Sequence, residues 1–167
     1  MFRTVEFDKD IPGRLFLHSM PGRSEFWESF RKQVEKAGID LIVSLTPLDE
    51  IRISSPEYAC AIENDNVPCT RMEYPIEDFS VPADRNGFAG FVSSIANHLK
   101  RGDRILIHCA GGIGRTGTVA TCILQQLGEE NFRAVELIRR AGSGPETPEQ
   151  AHLVIGIREC YYWTDMN

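Results

Sequence analysis

The run from 104 to 118, RILIHCAGGIGRTGT, constrains this chain more than any other segment. It begins as an apolar strand, passes through a glycine-rich turn and continues as a helix. A turn of this kind gathers backbone N–H groups into one concavity at a helix start, where the aligned peptide dipoles add partial positive charge. The result is an anion cradle. Gly111, Gly112 and Gly114 are expected to supply tight or positive-φ conformations and a close approach to the ligand.

The rest of the chain alternates in the same manner. Strands are expected at 14–18 (RLFLH), 41–45 (LIVSL), 70–74 (TRMEY) and 104–108 (RILIH). The second and fourth are almost wholly apolar, as central strands covered on both faces should be. Helices are expected at 24–37, 55–64, 85–100, 115–127, 131–141 and 147–162. Gly38 is a natural stop for the first and Pro56 a natural opening for the second. Thr147-Pro148-Glu149-Gln150 reads as an N-cap, a proline at the first helical position and a capping-box glutamine. Phe26, Trp27 and Phe30 are expected to pack, Cys122 to lie in the core, and Tyr161-Tyr162-Trp163 to dock the last helix. The fold class expected is a single α/β domain over 1–167, with a central, mostly parallel sheet of four to five strands flanked by helices.

Within the cradle, Cys109 leaves the strand so that its sulfur can face the anion site. Surrounding N–H groups and the helix N-terminus favour its thiolate form, which is the nucleophilic one. Arg115, six positions on, presents a planar fork that matches two phosphoryl oxygens, a geometry lysine lacks. The amides of Ala110, Gly111, Gly112, Ile113 and Gly114 are the expected phosphate ligands, and Thr116 can donate its hydroxyl to the sulfur. Each element alone has a plainer reading. A cysteine after an apolar strand is usually core filler, and a glycine-rich turn often holds a nucleotide. This turn lacks the Gly-Lys-Ser/Thr ending of a nucleotide loop, and its formal Gly-x-Gly-x-x-Gly, 112–117, has no acidic-ended second strand about twenty positions on. Cysteine, arginine and threonine together in this setting favour nucleophilic phosphoryl chemistry.

His108-Cys109-x5-Arg115-Thr116, continued by Gly117-Thr118, resembles the signature of the protein tyrosine phosphatase superfamily. The short chain looks like the compact dual-specificity type. It is similar to the kinase-associated and small atypical dual-specificity phosphatases along 38–45, the YPIED run at 74–78, the signature loop and GSGPETPEQ at 142–150. The resemblance implies a cysteine-dependent phosphatase fold, a phosphocysteine intermediate, and neither metal nor other cofactor. It also implies a general acid about thirty residues before the cysteine, and Asp78 fits that place, with Asp84 and Glu77 as competitors. Gln150 falls where some members orient the hydrolytic water, Glu146 can approach the site, and His108 is expected to support loop backbone rather than move protons.

Length and composition, 42% hydrophobic and 25% charged, fit one globular domain and give no sign of disorder. The net charge of −6 argues against a nucleic-acid partner, so an anion must be drawn in by a local positive site. Arg23, Arg85, Arg139 and Arg140 could add charge at the mouth. Five cysteines without Cys-x-x-Cys spacing argue against zinc or a disulfide framework, though Cys60 or Cys69 could pair reversibly with Cys109 on oxidation. The absence of a signal-like N-terminus and of an apolar run near 20 residues leads to the expectation of a cytoplasmic monomer with no membrane partner. Superfamily members that act on phosphoinositides often carry lysines between the cysteine and the arginine; the loop from Cys109 to Arg115 has none, so the resemblance implies a phosphorylated protein as substrate, chiefly phosphotyrosine. Still open are a small-molecule, lipid or RNA 5′-phosphate substrate, a noncatalytic phosphopeptide-binding module, and a sulfurtransferase or arsenate reductase.

Overall fold

The computed structural model describes residues 1–7 and 10–164, with side chains described up to 156. Five strands form one sheet: β1 (Arg3–Val5), β2 (Arg14–His18), β3 (Leu41–Ser44), β4 (Thr70–Glu73) and β5 (Arg104–His108). Their spatial order is β1-β2-β5-β3-β4. Only β1 runs antiparallel to its neighbour; the other pairs are parallel, with His18 and Ser44 both level with His108. The C-terminal ends of β2, β5 and β3 therefore finish side by side, at the edge where open α/β sheets build their sites.

The period-2 alternation of strand side chains divides the core in two. Leu15, Leu17, Leu41, Val43, Ile105 and Ile107 point to one face. There they meet α4 (Arg85–Lys100), α5 (Gly114–Gln126), α6 (Asn131–Arg140) and α7 (Pro148–Thr164). Phe16, Ile42 and Leu106 point to the other, where Phe30 and Val34 of α1 (Trp27–Ala37) cover them. A smaller cluster of Met20, Ile51, Tyr58 and Ala59 closes the site end through α2 (Leu48–Ser54) and α3 (Pro56–Glu63). Cys122 lies in the main core, and burial pushes its thiol up to about 12.

The expected strands and long helices are present, and β5 is central as its apolar run predicts. Some expectations are corrected. The first helix begins at Trp27 rather than 24, its N-cap is Phe26 with no side-chain cap, and Phe26 is 83% exposed instead of packed. Gly38 does end this helix, in the left-handed conformation at φ 61°. β1 and α2 had no sequence signal: three residues are too few to show alternation, and seven give barely two turns of periodicity. The side chains of Cys160 and of Tyr161, Tyr162 and Trp163 lie outside the described residues.

Candidate active site

β5 delivers Cys109 to the sheet edge, and residues 109–113 loop into the N-terminus of α5. Cys109 is 3% exposed, and its Sγ accepts a hydrogen bond from the Gly112 amide at 3.2 Å. Of the three loop glycines, only Gly112 adopts positive φ, at 71°. A β-carbon there would lie 2.2 Å from the His18 carbonyl oxygen, so the loop can pack on β2 only with glycine at this point. The expectation of positive φ at Gly111 and Gly114 is not met; Gly114 opens α5.

Arg115 is buried on the first turn of α5 and makes contacts far along the chain. Its Nη1 and Nη2 donate to the two carboxylate oxygens of Glu50, each at 2.9 Å, and Nη1 also donates to the Ile76 carbonyl at 2.9 Å. On its other side Nη2 lies 2.9 Å from Asp78 Oδ1. Burial works against the guanidinium charge, but Glu50, Cys109 and Asp78 outweigh it and hold Arg115 above its ordinary value. Nε is buried with no hydrogen-bond partner among the described residues. The Nε–Nη2 edge is thus the one left for a ligand once Asp78 gives way. Glu50 was missed from sequence because it sits on the unrecognised α2, 65 positions from Arg115.

Asp78 stands in the turn after β4, with its side chain 58% exposed. Oδ1 takes both the Arg115 contact and the Phe79 amide at 3.1 Å, while Oδ2 has no described partner. Asp84, the first competitor, is instead the N-cap of α4 and accepts from the Asn86 amide at 3.1 Å. Glu77 is exposed and does not line the pocket.

Below the loop, His108 is fully buried between two partners. Its Nε2 lies 3.0 Å from the Tyr58 hydroxyl and its Nδ1 3.3 Å from the Cys109 carbonyl oxygen. Burial lowers its pKa to about 3, so the ring is neutral. A neutral ring donates from one nitrogen only; Nδ1–H to the carbonyl with Tyr58 donating to Nε2 satisfies both contacts. The Thr116 contact with sulfur is absent: its hydroxyl is fully buried and has no hydrogen-bond partner among the described residues, and the sulfur is served by the Gly112 amide instead.

Gln150 is 1% exposed and forms more than the expected cap. Its amide N–H does bond the Thr147 hydroxyl at 3.2 Å, but its side-chain oxygen reaches the Glu146 amide at 2.8 Å rather than that of Thr147. Its side-chain nitrogen donates to the Ser80 carbonyl at 3.1 Å, tying α7 to the turn that carries Asp78.

A pocket of about 170 Å³ unites Asp78, Cys109, Ala110, Gly111, Ile113, Arg115, Glu146 and Gln150, with Phe79 and Arg23 on its rim. That volume is below the range of about 300–1,000 Å³ usual for whole small-molecule ligands, and suits a phosphoryl group with the first atoms of its ester. Gly112 and Gly114 lie behind the surface, with His108 and Thr116 beneath it. Of the arginines proposed for the mouth, Arg23 alone lines the pocket, and Arg140 pairs with Glu136. Cys60 is exposed on α3 and Cys69 packs against the α1 side of the sheet, whereas Cys109 belongs to the opposite core; the structure gives no support to a disulfide between them. Among the described residues there is no cluster able to hold a metal, and no helix long and apolar enough to cross a membrane.

Comparison with known proteins agrees with this geometry. Residues 7–152 match the family PTP-SAK, described as a Swiss Army Knife protein, DSP-PTPase phosphatase domain. The putative tyrosine phosphatase 067L of Invertebrate iridescent virus 3 is 32% identical over 101 residues, 59% of this chain and 38% of the viral protein, so this chain spans well under half of that relative. Among solved structures, kinase associated phosphatase with its catalytic site cysteine changed to serine superimposes with a TM-score of 0.76 at 21% identity, covering 89% of this chain and 88% of the other. PTPMT1 in complex with PI(5)P gives a TM-score of 0.69 at 15% identity, covering 90% and 94%. A cysteine beneath helix-start amides, a buried arginine and a facing aspartate lie within the span of the family match, and this chain belongs to the dual-specificity and tyrosine phosphatase domain family.

Proposed function

We propose that the chain hydrolyses phosphomonoesters of proteins, chiefly phosphotyrosine, through a phosphocysteine intermediate. The observation that carries this reading is the shared pocket. Cys109 Sγ, the Nε–Nη2 edge of Arg115 on which Asp78 rests, and Asp78 Oδ2, without a partner among the described residues, meet around a space that suits a phosphoryl group with the first atoms of its ester.

The Cys109 thiolate attacks phosphorus as the P–O ester bond breaks, and Asp78 gives its proton to the departing oxygen. Arg115 and the loop amides hold the equatorial oxygens and stabilise the charge that spreads over them. Phosphate entering the Nε–Nη2 edge displaces Asp78 from Nη2, freeing the acid to face the leaving group. In the second step the Asp78 carboxylate takes a proton from water, the water oxygen attacks phosphorus, and the S–P bond breaks to return the thiolate and release inorganic phosphate. Gln150 and Glu146 line the pocket wall, which supports a role for them in orienting that water. Glu50 sets the plane of the guanidinium from behind.

Phe79 and Ile113 are exposed apolar side chains at the rim, 63% and 44% accessible, and offer walls for an aromatic ring. The lysine-free loop fits a substrate with a single phosphate at the centre. A lipid phosphate is the second reading: Arg23 at the rim could meet another anionic group, and PTPMT1, of like fold, was solved with PI(5)P. A phosphotyrosyl peptide, phosphoseryl peptide, phosphoinositide and nucleotide panel in EDTA, with Cys109→Ser as blank, tests both. Turnover led by the phosphotyrosyl peptide is expected. Turnover of the phosphoinositide alone would replace this reading with the lipid one, and oxyanion binding without turnover of any ester would leave a noncatalytic binding module.

A further inference from the structure

The peptide between Gly112 and Ile113 is held from outside the loop. The Gly112 carbonyl accepts from Arg3 Nη2 and shares the single Ser143 hydroxyl proton, at 3.1 Å, with the Ile113 carbonyl oxygen. Arg3 Nη1 donates to the Gly142 carbonyl, next to Ser143, and Ser143 Oγ also contacts the Ile113 carbonyl oxygen at 2.8 Å. In a planar trans peptide the N–H points away from the C=O. Fixing the Gly112 oxygen outward therefore turns the Ile113 N–H to the opposite side, where Ile113 lines the pocket. On the other flank of the same α-carbon, the Gly112 N–H is bonded to Cys109 Sγ.

Little within the loop itself secures this arrangement. Contact with His18 demands glycine at 112, and glycine is the residue freest to rotate. A flip of the 112–113 peptide would turn a carbonyl oxygen toward the pocket, where a phosphate dianion would meet a repelling dipole. The hydrogen bonds such a flip would forfeit are those of Arg3 and Ser143. Arg3 is half-buried and enters no ion pair among the described residues. Its guanidinium bonds the carbonyl of the residue whose N–H bonds Cys109 Sγ, so the cation stands one residue behind the sulfur; burial lowers its pKa from the ordinary value, with Cys109 acting the other way.

We propose that Arg3, on the edge strand β1, is a positioning residue that locks the Gly112–Ile113 peptide in its anion-binding orientation and places a positive charge behind Cys109. Its kinetic arm rests on the phosphatase reading; its binding arm does not. The test compares Arg3→Met, Arg3→Lys and Ser143→Ala with the unaltered chain. It measures tungstate affinity by calorimetry, kcat and KM for p-nitrophenyl phosphate, and Tm. Arg3→Met should weaken tungstate roughly tenfold or more, the scale of one charge-assisted hydrogen bond, and lower kcat/KM at least as much. Arg3→Lys should recover part of both losses through its charge. Unchanged tungstate affinity in a folded Arg3→Met overturns the proposal, whatever happens to Tm. If that variant does not fold, Arg3→Lys and Ser143→Ala carry the test: each should weaken tungstate several-fold, and unaltered affinity in both overturns it. Should the unaltered chain bind tungstate yet turn over no ester, the phosphatase reading fails, while the affinity ratio between Arg3→Met and the unaltered chain still decides the role of Arg3.

Discussion

The proposed phosphate loop and the proposed acid turn face each other across one pocket and are built by opposite means. Residues 109–115 hang between the central strand and a helix that is buried along nearly its whole length. The acid turn is exposed: Asp78 and Phe79 face solvent, and Phe79 takes a positive φ of 56°, a costly conformation for an aromatic residue. It is held by two side chains from elsewhere, Arg115 to Asp78 and Gln150 to the Ser80 carbonyl. The lesson concerns tolerance. Binding a tetrahedral anion needs donors fixed to fractions of an ångström, which a buried strand–helix junction provides. Delivering a proton needs a group that comes and goes, which a lightly tethered turn provides.

Substitutions can break or sharpen this contrast. Arg115→Lys strikes the fixed half and should lower kcat/KM by about 10³-fold, with oxyanion binding lost in parallel, because the two-pronged contact disappears. Asp78→Asn strikes the exposed, lightly tethered half. It should cost roughly 10²-fold for esters with poor leaving groups and far less for p-nitrophenyl phosphate; equal losses for both would remove Asp78 from the acid role. Glu50→Gln tests the joint between the halves. It should cost about tenfold in kcat/KM, near 1.4 kcal/mol, with the loss falling on oxyanion affinity and not on leaving-group dependence.

The last effect concerns the floor of the loop and is read in stability, with no change in rate required. Burial lowers the His108 pKa to about 3 in the folded state, against about 6.5 when unfolded. Between those values the unfolded chain binds the extra proton, so stability falls as pH drops through that window and is fully present above about 6.5. The slope from this residue is about 1.4 kcal/mol per pH unit at most. Urea unfolding at pH 7 and pH 5 should show a weaker pH dependence in His108→Asn; an unchanged dependence would show that other groups set it.

What could be read in the sequence follows the same division. Cys109, Arg115 and the amides between them are contiguous, and their chemistry depends on local geometry that a strand–glycine–helix pattern announces. The strands at 14–18 and 104–108 were legible to the residue because short, mostly apolar runs there coincide with burial on both faces of the sheet. Asp78 came from likeness to a family, since nothing in an isolated turn separates it from Asp84; the N-cap bond of Asp84 makes that separation only in three dimensions. Glu50 and Arg3 act across 65 and 109 positions. Such pairings are products of strand order, and strand order is not written in any local window. Thr116 shows the converse, a residue type that invites a contact its burial does not supply.

The backbone of α5 meets that of the segment before α7 with no side chain between them: a β-carbon on Gly117 would sit 2.1 Å from the Gly144 nitrogen. A single methyl group at 117, remote from the sulfur, would therefore act as a wedge. The segment it displaces carries Glu146 and leads into Gln150, so the wall of the pocket would swing outward and the bond to Ser80 would part. The seating of that wall thus depends on the single hydrogen that Gly117 carries where another residue would have a β-carbon.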